Sequence, residues 1–240
     1  MMETFQGRAY LFVKNIHELV LVENTNTNTI TNTNNNNNNN GLFEMVAEDG
    51  IVIDWTERIL KQQKQFYEAG FPSNVDIGYH YTDNANIEVI GKVGLLSHPE
   101  ERKQNNITPT GQQLGGIFTG NNPTAFKLYG DRGILVARLQ GRSVFVATSS
   151  SLKNNNIEYV DTITGNENEV VLRTKEQCIP LIRYPTSLLS TPGGEACIEE
   201  LSTRVHAVID EFFNIPSVVQ FVLTPTPLPI VRNQTTNAAA

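Results

Sequence analysis

The stretch Val75-Asp76-Ile77-Gly78-Tyr79-His80-Tyr81 decides how this 240-residue chain is interpreted. It is predicted to form a β-strand. Because successive side chains alternate across a strand, Tyr79 and Tyr81 should share one face, with His80 on the other. A lone histidine on a strand is more often a hydrogen-bonded structural residue than a ligand-binding one. The segments around this strand therefore decide whether His80 is interpreted as a structural or a ligand-binding residue.

Helices are predicted on both sides of this strand. Asp54-Trp55-Thr56-Glu57 resembles a capping box and predicts a helix to about Ala69, which Gly70 closes. Apolar residues at spacings of three and four predict an amphipathic helix over Ala196 to Phe213. Two short helices are also expected, one capped by Asp83 or Asn84 and ended by Gly91 or Gly94, and one from Asn122-Pro123 to Gly130.

Strand signals predominate after Arg132, whereas the small helices fall mostly before it. Ile134 to Leu139 is nearly all apolar, as a central strand would be. Further strands are predicted over Val144 to Ala147, Val170 to Arg173 and Ile179 to Tyr184. The expected fold class is α+β, a mixed sheet with short helices packed outside, and not a regular βαβ alternation.

Polar and proline-rich segments interrupt this pattern. Asn24 to Asn40 is an Asn/Thr tract that ends in seven consecutive asparagines, and it predicts a disordered loop. The apolar runs Glu18 to Glu23 and Leu42 to Val46 would be the paired strands that the loop joins. His98 to Gln113 is expected to be a mobile loop. Residues 224–240 are expected to be a disordered tail, which leaves 1–223 as a single domain.

Composition limits the possible classes of function. A formal net charge of -7 argues against a general nucleic-acid binder, which would normally present a basic face. The sequence shows no secretory h-region and no run of about 18 apolar residues, so no membrane partner is expected. Cys178 and Cys197 form neither a disulfide framework nor a metal-ligand pattern. An intracellular location, cytoplasmic or nuclear, and no bound metal are expected.

Three short segments carry candidate chemistry: Gly78 to Thr82, Gly115 to Thr119 with Tyr129 eleven residues after Phe118, and Asn168 to Leu172. Together they suit cleavage of the bond between ribose and nicotinamide in NAD. That reaction develops an oxocarbenium-like ribose, which a nearby carboxylate stabilises, as in glycosidases. It also needs a rigid clamp on the nicotinamide ring and a hold on the riboses.

The candidate residues fit these roles one by one. His80 can hydrogen-bond a ribose hydroxyl, and the backbone N–H and C=O of Tyr81 can hold the nicotinamide carboxamide. Phe118 and Tyr129 can sandwich the flat ring. Glu169 can bind the ribose 2′-OH and stabilise the cation. Glu167 is a rival for that role, and a solvated loop carboxylate is the plainer interpretation of either glutamate.

Residues Val75 to Tyr184 resemble the ADP-ribosyltransferase superfamily in its His-Tyr-Glu branch, which includes poly(ADP-ribose) polymerases and diphtheria-type toxins. The family order of motifs is kept throughout. Tyr81 stands where the family usually has glycine, and Phe118 stands where it has tyrosine. The matching segments are His80-Tyr81-Thr82, Gly94-Leu95, Gly115-Gly116-Ile117-Phe118-Thr119, Tyr129, Asn168-Glu169-Val170-Val171-Leu172 and Gln177.

The resemblance implies an ADP-ribosyltransferase-like fold that uses NAD as substrate and places His80, Tyr81, Thr82, Phe118, Tyr129 and Glu169 at its site. Transfer of a single ADP-ribose to a protein or nucleic-acid acceptor is favoured over polymer synthesis, because no DNA-sensing module or basic arm is evident. Two alternatives remain open. In the first, the fold has lost catalytic turnover, keeps ligand binding and serves as an interaction module. In the second, the chain is purely an interaction protein that uses the Asn-rich tract.

Overall fold

The computed structural model describes residues 4–31, 41–107, 115–145, 160–165 and 168–214. At its centre is an eight-stranded sheet with strand order β1-β8-β4-β2-β3-β7-β6-β5. All neighbouring strands are antiparallel except β5 and β6, which are parallel. The strands are β1 Glu44–Met45, β2 Val75–Thr82, β3 Ile117–Gly120, β4 Arg132–Leu139, β5 Ser143–Phe145, β6 Thr162–Gly165, β7 Glu169–Leu172 and β8 Cys178–Pro185.

Helices cover both faces of this sheet. The α-helices are α1 Phe5–Thr31, α2 Asp49–Glu68, α3 Asn84–Val93, α4 Pro99–Gln104 and α5 Gly194–Ile209, and a π-helical turn follows at Asp210–Asn214. One face of the sheet carries Tyr79 and Leu135 and packs in one core with α1, α2 and α5. We call it the helical face, because the three longest helices lie on it. The opposite face, which carries Ile134, packs against α3 in a second core. The α+β class is therefore confirmed.

The pair β2 and β4 forms the middle of the molecule. The two strands pair along their whole length, from Val75 opposite Leu139 to Thr82 opposite Arg132. Residues Ile134 to Leu139 of β4 are all buried, as the apolar run predicts for a strand covered on both faces. The predicted strands at 75–81, 134–139 and 179–184 are confirmed, and the strand predicted at 170–173 is present one residue earlier, as β7. The strand predicted over 144–147 is β5, and its last two predicted residues lie outside the described part of the chain.

The predicted N-terminal hairpin is wrong. Residues 18–23 belong to α1, and the second half of the supposed hairpin contributes only the two-residue strand β1, which pairs with β8. The reason is an apolar stripe with helical spacing that begins well before residue 18. Its members, Ala9, Phe12, Val13, Ile16 and Val20, are all buried. Phe12 packs edge-on against Phe212 and Phe213, with ring centroids 5.8 and 5.1 Å apart.

The Asn/Thr tract is also not a loop throughout. Its first part, Asn24 to Thr31, continues α1, while residues 32–40 lie outside the described part of the chain. Asn24 links the helix to the segment that follows the tract. Its side-chain amide donates to the carbonyl of Phe43 at 2.7 Å and accepts from the Phe43 N–H at 3.0 Å. Deletion of the whole tract would therefore remove a structural contact.

Asn24→Ala is expected to lower the free energy of unfolding by about 1–3 kcal/mol, because it leaves two polar groups of the buried residue Phe43 without this partner. Asn15→Ala is the matched control. Asn15 makes one exposed bond, to the carbonyl of Leu11 at 2.8 Å, and its loss should cost under about 0.5 kcal/mol. Urea unfolding of both variants measures the difference. Equal stability of the two variants would contradict a structural role for Asn24.

Other helix boundaries in the structure can be compared with the predicted ones. The helix predicted from the capping box at 54–57 begins earlier, at Asp49, and ends as predicted before Gly70. The expected mobile loop over 98–113 contains α4, and its residues 108–114 fall outside the described ranges. The short helix after β2 is confirmed, with Asp83 as its N-cap and Gly94 as its C-cap. The helix predicted over Ala196 to Phe213 is confirmed as α5 and its π-helical turn.

Three sequence-based expectations lie wholly outside the described residues: the tail at 224–240, the rival carboxylate Glu167, and the polyasparagine end of the tract. Among the helices that the structure does describe, none is long and apolar enough to cross a membrane.

Candidate functional site

The three segments singled out from the sequence lie on three adjacent strands. His80 is on β2, Phe118 is on β3, and Glu169 opens β7. Gly120 at the end of β3 is the meeting point, because it lies opposite Tyr79 on one side and opposite Glu169 on the other. With strands about 4.8 Å apart, the backbones of Tyr79 and Glu169 are about 10 Å apart across β3. Segments separated by up to 90 residues in sequence are thus brought together on three adjacent strands.

The junction between β2 and β3 is only partly paired, and we call it the seam. In the described structure the two strands form a single bridge, between Tyr79 and Gly120, although β2 continues to Thr82. The side chain of His80 contacts β3 beyond that bridge, with its Nδ1 2.9 Å from the carbonyl oxygen of Phe118. The His80 side chain thus hydrogen-bonds to a backbone carbonyl that, in a regular antiparallel ladder, would bond to a backbone N–H of β2.

This contact fixes the chemistry of His80. A carbonyl oxygen can only accept, so Nδ1 carries the proton and Nε2 of the neutral ring is left as an acceptor. Burial lowers the pKa of His80 below its usual value of 6.5, and the positive charge of Arg102 lowers it further, against the opposing effect of the Phe118 carbonyl. His80 is therefore neutral at pH 7, with Nε2 able to accept a hydrogen bond from a hydroxyl.

The pleat of the sheet separates His80 from the carboxylate. Residues directly opposite each other in antiparallel strands point to the same side, so Glu169, Gly120 and Tyr79 share the helical face. His80 alternates with Tyr79 and starts on the opposite face, and its imidazole then reaches the edge of β3 at Phe118. The two side chains therefore leave their strands on opposite faces of the sheet, with β3 between them.

A buried arginine, which the sequence analysis missed, holds the seam together next to its single bridge. Arg138 of β4 is 3% exposed and pairs with Asp76 of β2 through two bonds of 2.9 Å. Its remaining terminal nitrogen reaches β3, where it donates to the hydroxyl of Thr119 at 3.0 Å and to the side-chain oxygen of Asn121 at 3.1 Å. The side chain passes over Gly78, where a Cβ would lie 2.6 Å from its Cδ.

Arg138→Met is expected to lower the free energy of unfolding by about 3 kcal/mol, since it leaves Asp76 and the β3 acceptors without their donor. Arg142→Met is the matched control. Arg142 also makes a two-bond pair, with Asp161 at 2.9 and 3.2 Å, but it lies nearer the surface and away from the seam. Its loss should cost about 1 kcal/mol or less. Chemical denaturation measures the stability of both variants. A larger loss of stability in Arg142→Met than in Arg138→Met would contradict the role of Arg138 in holding the seam together.

Tyr81 points away from His80, as the strand alternation predicts. Its ring is 5% exposed and packs with Tyr79 in the core of the helical face. The Tyr81 hydroxyl donates to the carbonyl of Pro123 and lies 3.1 Å from the hydroxyl of Tyr184. The ring therefore does not fill the seam, and burial raises the pKa of Tyr81 to about 12.

The second aromatic, Tyr129, lies on a turn and not on the predicted α-helix. We define the 121–130 turn as residues Asn121 to Gly130, which contain only a 3-10 helix at Lys127–Tyr129. The side chain of Asn122 accepts from the N–H and hydroxyl of Thr124, both at 3.0 Å, and this favours a tight turn over an α-helix. Gly130 ends the segment as predicted, pressed so closely on Thr82 that a Cβ there would overlap the Thr82 carbonyl.

The remaining site residues have distinct surroundings. Phe118 packs against Ile163 and Val171 on the outer strands, whereas the half-exposed Tyr129 ring lies 5.9 Å from that of Phe126. The sandwich of nicotinamide between Phe118 and Tyr129 stays a prediction. The hydroxyl of Thr82 is buried and accepts from the amide of Asn86 at 3.0 Å, which ties the end of β2 to α3.

Glu169 is half-buried beside Gly120, and no hydrogen bond or ion pair joins its carboxylate to another described residue. Burial raises its pKa above the usual 4.5. A carboxylate that is partly removed from water and lacks a cation partner interacts strongly with a positive charge that develops next to it. Its neighbour Asn168 bonds to the 121–130 turn, through its carbonyl to the Asn121 N–H at 3.0 Å.

Comparison with protein-family models and with curated proteins gives no match for this chain. Within the described ranges, no group of three or more His, Cys, Asp or Glu side chains could hold a metal ion.

Proposed function

We propose that this protein is an NAD-dependent ADP-ribosyltransferase with an ADP-ribosyltransferase-like fold. The observation that carries the proposal is the incompletely paired seam between β2 and β3, which has His80 along its edge and Glu169 on the next strand. Backbone donors and acceptors beyond the single bridge could bind a flat amide-bearing ring, because strand edges offer such groups in one plane. The order of the sequence motifs supports the same family.

The backbone of Tyr81 would bind the carboxamide of nicotinamide. Extension of the register by two residues from the Tyr79–Gly120 bridge would set Tyr81 opposite Phe118. A Phe118 carbonyl directed at β2 implies that the N–H and C=O of Tyr81 are directed at β3, since opposite residues in such a ladder exchange both bonds. Beyond the bridge these two groups would be available to the ligand, while the buried Tyr81 ring leaves the gap open.

The side chains would then divide the reaction between them. The Nε2 atom of His80 would accept from a ribose hydroxyl, and Tyr129 would stack on the nicotinamide. Glu169 would accept from the ribose 2′-OH and stabilise the ribosyl cation as the bond to nicotinamide breaks. Nicotinamide leaves as a neutral molecule, and a nucleophile of the acceptor completes the transfer. A single transfer to a protein or nucleic-acid acceptor remains the prediction.

A binding module without turnover is the second candidate function. Its sequence rationale was a Tyr81 side chain that could fill the nicotinamide position. The burial of that ring beneath the helical face removes this rationale and favours the enzyme. One observation still favours the binding module: Phe118 stands where the resembling family has tyrosine, and phenylalanine lacks the tyrosine hydroxyl.

Two measurements on the purified chain test the proposal. Calorimetric titration with NAD measures binding, and mass spectrometry measures the release of nicotinamide and the formation of ADP-ribose adducts. The enzyme requires both, and His80→Gln should weaken both, because it removes the Nε2 acceptor. Binding without nicotinamide release would establish the binding module, and neither binding nor release would exclude both functions.

A further inference from the structure

The 121–130 turn crosses the helical face of the sheet beside the seam and touches each strand of the candidate site. It starts at the end of β3, where Ala125 and Phe126 pack on Gly120. Asn122 donates to the side chain of Asn168, next to Glu169, at 2.9 Å. The turn ends with Gly130 against Thr82 of β2.

The hydrogen bonds described within this turn join residues only two or three positions apart. Its backbone bonds include Ala125 N–H to the Asn122 carbonyl at 3.4 Å, which is weak, and Tyr129 N–H to the Phe126 carbonyl at 3.0 Å. Leu128 at its tip is 94% exposed. A short irregular segment of this kind takes its shape largely from the contacts that hold it from outside.

The hydroxyl of Tyr81 is such a contact. It comes from the buried side of the sheet and donates to the carbonyl of Pro123, which is itself buried. Tyr184 lies 3.1 Å away on the other side of the same hydroxyl. Phe126 of the turn also packs against this core, and the Tyr81 hydroxyl adds a hydrogen bond between the core and the turn. Loss of this donor would leave a buried carbonyl unpaired.

We infer that Tyr81 is a positioning residue for Tyr129: its hydroxyl holds the 121–130 turn in the conformation that keeps the 3-10 helix with Tyr129 next to β2. A glycine at position 81 could not make this contact. The tyrosine at this position thus supplies a tether while its backbone keeps its place on β2. The consequence for NAD rests on the proposed function, whereas the consequence for the turn does not.

Tyr81→Phe tests the tether, and Tyr184→Phe is its matched control, because each removes one buried hydroxyl but only the first removes the bond to the turn. Trypsin cleavage between Lys127 and Leu128, followed by mass spectrometry, reports how often the turn opens. Tyr81→Phe should raise this cleavage rate by about 3- to 10-fold, as expected for the loss of one hydrogen bond. Tyr184→Phe should cleave at the parental rate.

Melting temperatures of both variants separate local from global effects. Similar melting temperatures with faster cleavage in Tyr81→Phe alone support the tether. Equal cleavage rates in Tyr81→Phe and Tyr184→Phe would overturn it. Faster cleavage that only follows a lower melting temperature would likewise overturn it, since the effect would then be global.

The kinetic consequence is measured on the same variants. A loosened Tyr129 should grip nicotinamide less in substrate and transition state alike, which raises KM for NAD by about threefold or more and leaves kcat nearly unchanged. A parent protein that does not cleave NAD would defeat the proposed function, while the cleavage rate at Lys127 would still decide the tether. An unchanged KM with a loosened turn would show that Tyr129 does not contact the substrate.

Discussion

Glu169→Gln is expected to lower kcat for NAD cleavage by about 100- to 1,000-fold while leaving the affinity for NAD nearly unchanged. Glutamine keeps the shape of the side chain and can still bond to a ribose hydroxyl. It loses the negative charge, and that charge matters only once the ribosyl cation develops. The half-buried position of Glu169 strengthens the effect, because charges interact more strongly where water is partly excluded.

Steady-state kinetics and NAD titration of the same preparations measure the two quantities. Glu88→Gln is the control, because Glu88 is an exposed residue of α3 paired with Lys92, and its loss should leave kcat unchanged. Equal kcat in Glu169→Gln and the parent would remove Glu169 from the site and shift attention to Glu167. The pH dependence gives a second check. Burial raises the pKa of Glu169, so kcat should decline on acidification at a higher pH than an ordinary glutamate would give.

Tyr81→Gly, which restores the residue usual in the resembling family, is expected to lower the free energy of unfolding by about 3–5 kcal/mol. The ring is buried in the core of the helical face, and its loss leaves a cavity next to Tyr184 and breaks the bond to Pro123. The control Tyr67→Ala removes a ring that is 44% exposed on α2 and should cost far less. Denaturant unfolding of both variants gives the comparison.

Tyr81→Gly also tests whether the Tyr81 ring lies outside the proposed ligand position. Because the Tyr81 ring lies outside the gap, Tyr81→Gly should not create new affinity for NAD. A variant that gained tight NAD binding and kept full stability would mean that the tyrosine ring occupies the ligand position. The enzyme assignment would then fail, and the binding module would be the better function.

Local patterns in the sequence predicted the local geometry of the site. Strand alternation correctly placed Tyr81 with Tyr79, and apolar runs located the central strands. The partnership of β2, β3 and β7 could not be derived from these patterns, because residues far apart in sequence set it. In the apolar β4 strand, Arg138 was a signal that could have been used. A charge in a buried strand requires partners, and those partners turn out to span the seam.

The N-terminal error has a similar cause. Leu19, Val20, Leu21 and Val22 look like a strand in a short window, because valine has a high strand propensity. The decisive stripe begins ten residues earlier and is visible only at helical spacing. Packing against α5 then determines the outcome, since most of the stability of a helix in a protein comes from its buried face and not from propensity.

The packing of α1 on residues 212 and 213 has a consequence for biosynthesis. Phe12 leaves the ribosome about 200 residues before its aromatic partners Phe212 and Phe213. At about 5–20 residues per second, roughly 10 to 40 seconds pass before those partners are made. During that interval the apolar side of α1 has no native cover from α5. The nascent chain therefore exposes an amphipathic segment to which a chaperone can bind, and the packing around Phe12 is completed only after Phe213 has been made.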